Sequence, residues 1–268
     1  LTKMINGGVA LSFNGRRTAQ MIQRKVMPRV VHINKELSYN DLGGKCNNLL
    51  VDGENLQAMV TLYKYRGTVD LIVTDPPYNV AYEGTAGTIQ NDSMEDGKFY
   101  EFLFSAFKCM YDVCADGASI YVFHADKESI NFRTAFRDAG FFCHQTCIWV
   151  KNTPVLGRCD YQYCHEPILV GWKPTAGHKW YSDRKQRTVW NFDKPKKSEL
   201  HPTTKPIPLV AYPIQNSSVV NSVILEPFGG SGAVLLALPP DPNRLDIYND
   251  LDAELVNLFS CIKECSNV

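Results

Sequence analysis

The chain has 268 residues, of which 44% are hydrophobic and 21% charged, and its formal net charge is zero. These values are ordinary for a soluble globular protein. A net charge of zero gives no indication of a polyanionic partner. No apolar run approaches the ~20 residues of a membrane-spanning helix, and the amino terminus lacks the plan of a signal peptide. We therefore expect a cytoplasmic protein that does not enter a membrane.

Apolar runs alternate with helical patterns along most of the chain, which predicts β-α-β units and a mainly parallel sheet. The predicted strands are Asn48–Val51, Val69–Thr74, Ser119–Phe123, Thr146–Val150, Glu166–Gly171, Ser222–Glu226 and Leu245–Asn249. The predicted helices are Asn55–Tyr65, Asp96–Cys114, Lys127–Ala139, Pro206–Asn216, Ala233–Leu238 and Asp252–Glu264. Seven strands with helices between them indicate a doubly wound, Rossmann-like α/β fold.

Two regions break this alternation. Residues 1–45 have no clear pattern and are interpreted as an amino-terminal extension, which leaves residues 46–268 as the main domain. Residues 152–204 are rich in Trp, Tyr, Lys, Arg, Pro and Gly without a clear period, which predicts a loop-dominated insertion that carries recognition. Between Lys151 and Lys205 there are eleven Lys or Arg residues against five Asp or Glu. This basic excess fits either a solvated face or a surface that contacts phosphates.

The stretch LIVTDPPYN, residues 71–79, places a carboxylate, two prolines and an aromatic ring directly after an apolar run. Proline has no N–H to donate to a strand ladder, so the strand is expected to stop there. Asp75 and Tyr78 would then lie at the carboxyl end of a buried strand. The stretch is either a rigid turn that closes a strand or part of a site.

A second loop of interest follows a later strand, in SVILEPFGGSGAVLLAL at residues 222–238. Its glycines permit a tight turn and a close approach to a ligand at the start of a helix. The loop lacks the glycine fingerprint of dinucleotide sites and the Gly-Lys pair of phosphate loops. Asp250 follows the next strand and could hold a ribose diol or cap a helix. Together these features favour a nucleoside cofactor without a pyrophosphate, and S-adenosylmethionine fits this description better than NAD.

The tetrapeptide Asp75-Pro76-Pro77-Tyr78 resembles the catalytic motif of the DNA amino-methyltransferases, and the glycine loop resembles their cofactor motif. The catalytic motif comes first in this chain, which is the order of the family's β group. The stretches GASIYVFHAD, CIWVKNTPVLGRCDYQYCHEPILVGWK and HPTTKP are similar to site-specific adenine methyltransferases of bacteria and phages. The resemblance covers roughly residues 46–264. It implies a seven-stranded methyltransferase fold with a target-recognition insertion at 152–204 and transfer of a methyl group to the exocyclic amine of adenine in double-stranded DNA.

The resemblance also implies roles for the catalytic motif. An exocyclic base amine is a poor nucleophile, and acceptors for its two N–H groups would hold it in the geometry of attack. Asp75 would accept one N–H and the carbonyl of Pro76 the other, while Pro76 and Pro77 fix the direction of that carbonyl. Tyr78 would stack on a base that has swung out of the duplex. This chemistry needs no metal and no covalent enzyme intermediate.

The remaining site residues are expectations from the same resemblance. Either Asp52 or Glu54 would hold the adenosine of the cofactor. The other cofactor residues would be Phe228, Gly229, Gly230, Ser231, Gly232, Asp250 and Lys205. The residues expected to contact DNA are Lys151, Arg158, Tyr161, Arg184 and Arg187.

Other interpretations remain open. Methylation of the cytosine exocyclic amine uses the same chemistry, although that branch of the family usually has Ser where this chain has Asp75. A Rossmann-like oxidoreductase is disfavoured by the missing dinucleotide fingerprint, and a DNA-binding relative without activity is a third alternative. A homodimer and a restriction endonuclease are the partners considered beside DNA.

Overall fold

The computed structural model describes residues 4–5, 8–9, 48–52, 67–81, 83–84, 87–88, 92–155, 157, 159–194, 205–220, 222–230, 233–234 and 245–250. The helices predicted at Asn55–Tyr65 and Asp252–Glu264, and most of that at Ala233–Leu238, lie outside the described residues. Within the described part of the chain, no helix is both long and apolar enough to cross a membrane.

The described elements form strands, three α-helices and a short 3-10 helix at Asp126–Glu128. The strands are β1 (Met4–Ile5), β2 (Gly8–Val9), β3 (Asn48–Asp52), β4 (Val69–Thr74), β5 (Glu83–Gly84), β6 (Gly87–Thr88), β7 (Cys114–Phe123), β8 (Phe142–Val155), β9 (Tyr163–Trp172), β10 (Val189–Asn191), β11 (Val223–Glu226) and β12 (Leu245–Asp250). The helices are α1 (Asp96–Val113), α2 (Ser129–Asp138) and α3 (Ile207–Ser217).

Eight strands form one sheet in the order β10-β8-β9-β7-β4-β11-β12-β3. β9 runs antiparallel to both of its neighbours, β7 and β8, and the other neighbouring pairs are parallel. The carboxyl ends of the parallel strands therefore share one edge of the sheet, which we call the carboxyl edge. Only β9 starts at that edge and runs away from it, towards what we call the amino edge.

Helices cover both faces of the sheet because side chains of the central strands alternate between two apolar clusters. On one face, Ile72 and Ile120 pack with Phe99, Phe107 and Phe132 of α1 and α2. On the other face, the buried strand residues Leu71, Val73 and Trp149 pack with Trp190 of β10 and Leu209 of α3. α1 presents its buried side at helical spacing through Phe99, Leu103, Phe107 and Met110, as its sequence predicts. The doubly wound α/β fold is thus confirmed.

The strand predictions differ from the structure in several places. β7 begins at Cys114, whereas its predicted start is Ser119. β8 and β9 are longer than predicted and together form an extended hairpin, and the three-residue strand β10 was not predicted. Within the segment 152–204, β9 extends the predicted strand Glu166–Gly171, whereas the end of β8 and the whole of β10 are strands that were not predicted. A role of the remaining residues of this segment in recognition stays a prediction.

Candidate active site

Asp75 lies at the carboxyl edge, directly after β4, in the middle of the sheet. The strand stops there because Pro76 and Pro77 offer no N–H to a neighbouring strand. Asp75 is partly exposed while Pro76 is buried, so the carboxylate faces the edge and the backbone behind it is held by the core. The structure therefore confirms the predicted end of the strand and shows why it presents a carboxylate.

The turn after the prolines is held by a second segment, residues 92–94. Oδ1 of the buried Asp92 accepts the backbone N–H groups of Tyr78, at 2.9 Å, and of Val80, at 3.3 Å. Asn79 has a positive φ of 58°, a conformation that asparagine tolerates better than most residues. Its side-chain amide accepts the N–H of Met94 at 2.5 Å and donates to the carbonyl of Met94 at 3.1 Å. These bonds fix the backbone that carries Tyr78.

Tyr78 and Lys205 occupy the two oxygens of the Asp75 carboxylate. The Tyr78 hydroxyl donates to Oδ1 at 2.5 Å, and Nζ of Lys205 donates to Oδ2 at 2.7 Å. Lys205 is 6% exposed and also lies 5.2 Å from the centroid of the Tyr78 ring. The resemblance assigned Lys205 to the cofactor, whereas the structure places its ammonium group on the catalytic motif.

A second carboxylate, Glu166 at the start of β9, completes this cluster. Its Oε2 lies 3.3 Å from Nζ of Lys205 and 3.2 Å from the Tyr78 hydroxyl. Its Oε1 accepts a hydrogen bond from Nζ of Lys151 at 2.6 Å. We call Lys151, Glu166, Lys205, Asp75 and Tyr78 the charged cluster; its charges alternate in sign along the chain of contacts from Lys151 to Asp75.

The electrostatics of the charged cluster keep Glu166 and Lys205 ionised. Burial acts to raise the pKa of Glu166, but the ammonium groups of Lys205 and Lys151 outweigh it and lower that pKa below its ordinary value. Burial likewise acts to lower the pKa of Lys205, but the carboxylates of Asp75 and Glu166 raise it. Burial, Asp75 and Glu166 all raise the pKa of Tyr78, so its hydroxyl stays protonated and donates.

The predicted cofactor loop lies beside the charged cluster because β11 is the neighbour of β4. The backbone N–H of Phe228 donates to Oε1 of Glu226 at 3.0 Å, which closes the turn after β11. The Phe228 ring packs against Phe102 of α1 with a centroid distance of 5.9 Å. Gly230 has a positive φ of 50°, which a residue with a Cβ rarely adopts.

The predicted acidic residues of the cofactor site lie on the next two strands. Asp250 ends β12 and is paired in register with Asp52, which ends β3. The backbone thus places Asp52 at the same edge as Asp250 and the glycine loop, while Glu54, Ser231 and Gly232 lie outside the described residues. Carboxylates suit the hydroxyls of a ribose, and a glycine turn suits close approach of a nucleoside. The backbone positions are thus compatible with an S-adenosylmethionine site between the ends of β4 and β3, and the roles of Asp52 and Asp250 in it stay predictions.

The structure places the residues expected to contact DNA in different environments. Tyr161 is 91% exposed at the tip of the β8–β9 hairpin, on the side of the carboxyl edge. Lys151 is instead buried in the charged cluster, with its side chain 6% exposed, which is a poor position for a phosphate contact. Arg158 lies outside the described residues.

Arg184 and Arg187 follow a segment that leads away from Asp75. This segment runs past the amino edge, where Lys179 pairs with Asp70 near the start of β4 and the N–H of Tyr181 donates to Asn216 near the end of α3. Both arginines are exposed, but they precede β10 rather than following it to the carboxyl edge. That these two arginines contact DNA stays a prediction.

The comparison with protein families gives the class of this molecule. A family model described as DNA methylase matches residues 69–239, a range that contains β4, the charged cluster and the glycine loop. The chain belongs to this DNA methylase family, which makes it a DNA methyltransferase of the S-adenosylmethionine-dependent class. The family covers both N6-adenine and N4-cytosine enzymes, so membership leaves the target base open.

Individual relatives agree with this class. The chain is 25% identical over 236 residues to the type II methyltransferase M.HpaI of Haemophilus parainfluenzae, across 80% of this chain and 71% of the relative. The crystal structure of the M1.HpyAVI–SAM complex has a TM-score of 0.61 at 20% identity, covering 78% of this chain and 96% of that one. The cytosine-N4-specific PvuII DNA methyltransferase has a TM-score of 0.67 at 14% identity, covering 82% of this chain and 87% of that one. Both likenesses confirm the Rossmann-like methyltransferase fold.

Two residues of the site were not identified from the sequence. Glu166 entered the sequence analysis only as the first residue of a predicted strand and as one of five acids in a basic segment, and Asp92 was not singled out. The sequence carries a weak signal for Glu166, since a carboxylate directly before a proline in an apolar strand has no evident role in packing. Asp92 has no comparable signal, because its partners are backbone N–H groups.

Proposed function

We propose that this protein transfers a methyl group from S-adenosylmethionine to N6 of an adenine that is flipped out of double-stranded DNA. The observation that carries the proposal is the position of Asp75. Its carboxylate lies at the carboxyl edge, on a backbone stiffened by two prolines and clamped by Asp92. The glycine loop that fits the cofactor follows the adjacent strand β11.

The residues present suit attack by an exocyclic amine. When bound, S-adenosylmethionine supplies an electrophilic methyl group, and the sulfur keeps the electrons of the broken C–S bond as the new N–C bond forms. Asp75 accepts one N–H of the amine and offsets the positive charge that grows on nitrogen. The methylated nitrogen then releases one proton to solvent, which gives the neutral product. The carbonyl of Pro76 accepts the other N–H, in a direction that the proline ring restricts. Such placement contributes to rate because displacement needs reacting atoms ~3–3.5 Å apart.

The same motif receives the base. Tyr78 offers an aromatic face at the carboxyl edge, and the target atom cannot be reached inside a duplex, so the base is expected to leave the stack. The Tyr78 ring packs against the buried Phe132, with the ring centroids 6.4 Å apart and the two planes at 79°, so the core helps to hold the ring in place. A ring held in this way can stack on a base with little loss of side-chain entropy.

Adenine is proposed over cytosine because the motif begins with Asp75. The cytosine branch of the family usually has Ser at this position, and a carboxylate is the stronger acceptor for an amine N–H. The cytosine-specific relative with the same fold shows that the scaffold alone does not decide the base.

The experiment is methylation of unmodified plasmid DNA with labelled S-adenosylmethionine, followed by digestion to nucleosides. We expect label in N6-methyladenine, and label in N4-methylcytosine alone would overturn the choice of base. Asp75→Asn should lower the single-turnover rate by about 100- to 1,000-fold while cofactor binding is retained. The matched control is Asp116→Asn, which changes an exposed carboxylate near the start of β7 and should leave the rate unchanged.

A further inference from the structure

Glu166 is a partly buried carboxylate for which the chemistry described above has no use. It enters the site from β9, the one strand of the sheet that runs antiparallel to both of its neighbours, and its side chain is 17% exposed. It makes three polar contacts at distances of 2.6, 3.2 and 3.3 Å, to Lys151, Tyr78 and Lys205. A carboxylate that only held β8 to β9 would need Lys151 alone.

The two contacts beyond Lys151 both reach partners of Asp75. Lys205 bridges the two carboxylates, at 2.7 Å from Oδ2 of Asp75 and 3.3 Å from Oε2 of Glu166. The Tyr78 hydroxyl also faces both, at 2.5 Å from Asp75 and 3.2 Å from Glu166. A hydroxyl has one proton to donate, so the shorter contact to Asp75 is the principal bond and Glu166 is the alternative acceptor.

This arrangement has a consequence once a substrate arrives. Oδ1 of Asp75 already accepts a hydrogen bond from the Tyr78 hydroxyl and Oδ2 one from Lys205, so an incoming amine that binds Oδ1 shares this oxygen with the phenol and weakens the bond between them. A buried hydroxyl left without a partner is costly. Glu166 is already within reach of the Tyr78 hydroxyl, so the phenol can change acceptor without moving its ring.

We propose that Glu166 is a positioning residue that receives the Tyr78 hydroxyl when the target amine takes its place on Asp75, and that holds Lys205 against Oδ2 throughout. Glu166 does not touch the reacting atoms and acts through Tyr78 and Lys205. This inference rests on the proposed roles of Asp75 and Tyr78.

The charged groups that face Glu166 determine in which direction the pH dependence of the rate should shift when Glu166 is replaced. They are Lys151 from β8, Lys205 from the segment before α3, and Asp75 and Tyr78 from the turn after β4. The buried His124, directly after β7, also interacts electrostatically with Glu166. The Glu166 carboxylate contributes to raising the pKa of both Lys205 and Tyr78. Its replacement by a neutral amide should therefore lower both pKa values, so that both groups lose their protons at lower pH.

The test compares the wild-type protein with Glu166→Gln, which keeps the size of the side chain and removes its charge. We expect the single-turnover methylation rate to fall about 100-fold, as is typical when catalytic groups are misplaced, with the dissociation constant of S-adenosylmethionine unchanged. The alkaline limb of the pH–rate profile should move to lower pH. Glu95→Gln, at a carboxylate that is 80% exposed, is the matched control and should match the wild type in both measurements.

A second measurement separates positioning from a structural role. If Glu166 acts through the Tyr78 hydroxyl, the rate losses of Tyr78→Phe and Glu166→Gln should not add in the double variant. Additive losses, or a lower rate with an unshifted alkaline limb, would overturn the proposal, as would a Glu166→Gln rate equal to the wild type. The wild-type product is measured in the same assay, so that failure of the Glu166 inference can be told apart from failure of the proposed function. Absence of N6-methyladenine from the wild-type reaction would contradict the proposed function itself.

The unliganded protein gives an independent readout. Difference absorbance between the wild-type protein and Tyr78→Phe isolates the ionisation of Tyr78, and the same difference in the Glu166→Gln background should show it at lower pH. An unchanged Tyr78 titration would contradict the contact on which the inference depends.

Discussion

Nζ of Lys205 lies 2.7 Å from Oδ2 of Asp75, although the two residues are 130 positions apart in the chain. The bond ties the segment that enters α3 to the turn that ends β4. The ammonium group also lies 5.2 Å from the centroid of the Tyr78 ring and 5.5 Å from that of Phe123. One buried cation therefore holds both the carboxylate and the aromatic ring of the catalytic motif.

Replacing Lys205 by Met should destabilise the protein and abolish methyl transfer. The methionine side chain fits a space of similar volume, but it leaves Asp75 and Glu166 facing each other without the cation between them. Removal of one partner of a buried ion pair costs about 3 kcal/mol or more in free energy of unfolding. Urea unfolding at neutral pH measures this loss.

The matched control is Lys98→Met, which breaks the surface pair of Lys98 with Glu95, where the side chains are 75% and 80% exposed. Exposed pairs contribute little to stability, so this change should leave the free energy of unfolding nearly unaltered. Equal losses in the two variants would mean that Lys205 has no special role in stability.

The pH dependence of stability follows from Glu166 and Lys205. The pKa of Glu166 is lower in the folded protein than the ordinary value of 4.5, so its contribution is present above pH 4.5 and is lost as pH falls through the folded pKa. The pKa of Lys205 is higher than the ordinary value of 10.5, so its contribution is present below pH 10.5 and is lost as pH rises through the folded pKa. Urea midpoints across pH should show a loss on the acid side that is smaller in Glu166→Gln, and an equal acid loss in both proteins would contradict this assignment.

The sequence was most informative where signals are local. β4 has the bounds that were predicted, Val69–Thr74, because an apolar run and a proline pair are both read within a few residues. β10 was missed because its three residues have no period of their own, and its pairing with Ile148–Val150 is a long-range contact.

The charged cluster could not be read from the sequence for a related reason. Lysines are usually solvated, so Lys151 was interpreted as a phosphate contact. It is buried because the β8–β9 register places Glu166 opposite Trp149, next to Lys151. The role of Glu166 depends in turn on Lys205 and Tyr78, which reach it from other elements of the fold. Chemistry at the carboxyl end of one strand was predictable, whereas the partners that surround it depend on the order of the strands.

Asn79 should be needed for the shape of the catalytic turn. Asn79→Ala removes two hydrogen bonds to Met94 and puts at a φ of 58° a residue that tolerates this conformation less well than asparagine, which together should cost about 2 kcal/mol. Asn79→Gly removes the same hydrogen bonds but adopts this φ without strain, and it should cost less. Thermal unfolding separates the two variants, and equal losses would show that the backbone conformation carries no strain.

Gly171 is required by packing rather than by chemistry. A Cβ at this position would lie 2.1 Å from the carbonyl oxygen of Phe142 and 2.9 Å from the ring of Phe136. Since the first contact is to backbone of the paired strand β8, Gly171→Ala should prevent normal folding, seen as loss of soluble protein or of a cooperative transition. Gly97→Ala in α1 meets nothing within 4 Å and should be neutral or slightly stabilising. A well-folded Gly171→Ala protein would contradict the β8–β9 pairing described above.

The tip of the β8–β9 hairpin should contact DNA. Tyr161 is 91% exposed there, and the hairpin extends beyond the sheet on the side of Asp75 and Tyr78. Tyr161→Ala should raise the KM for DNA several-fold with little change in the single-turnover rate at saturating DNA, because the side chain is remote from the reacting atoms. The comparison is Arg184→Ala, which removes an exposed side chain on the segment that comes from the amino edge. This change should have the smaller effect on the KM for DNA. DNA binding measured over a range of salt concentrations checks both variants. If Arg184→Ala weakened DNA binding more than Tyr161→Ala did, and reduced the salt dependence of DNA affinity by about one phosphate contact, the DNA would lie towards the amino edge instead.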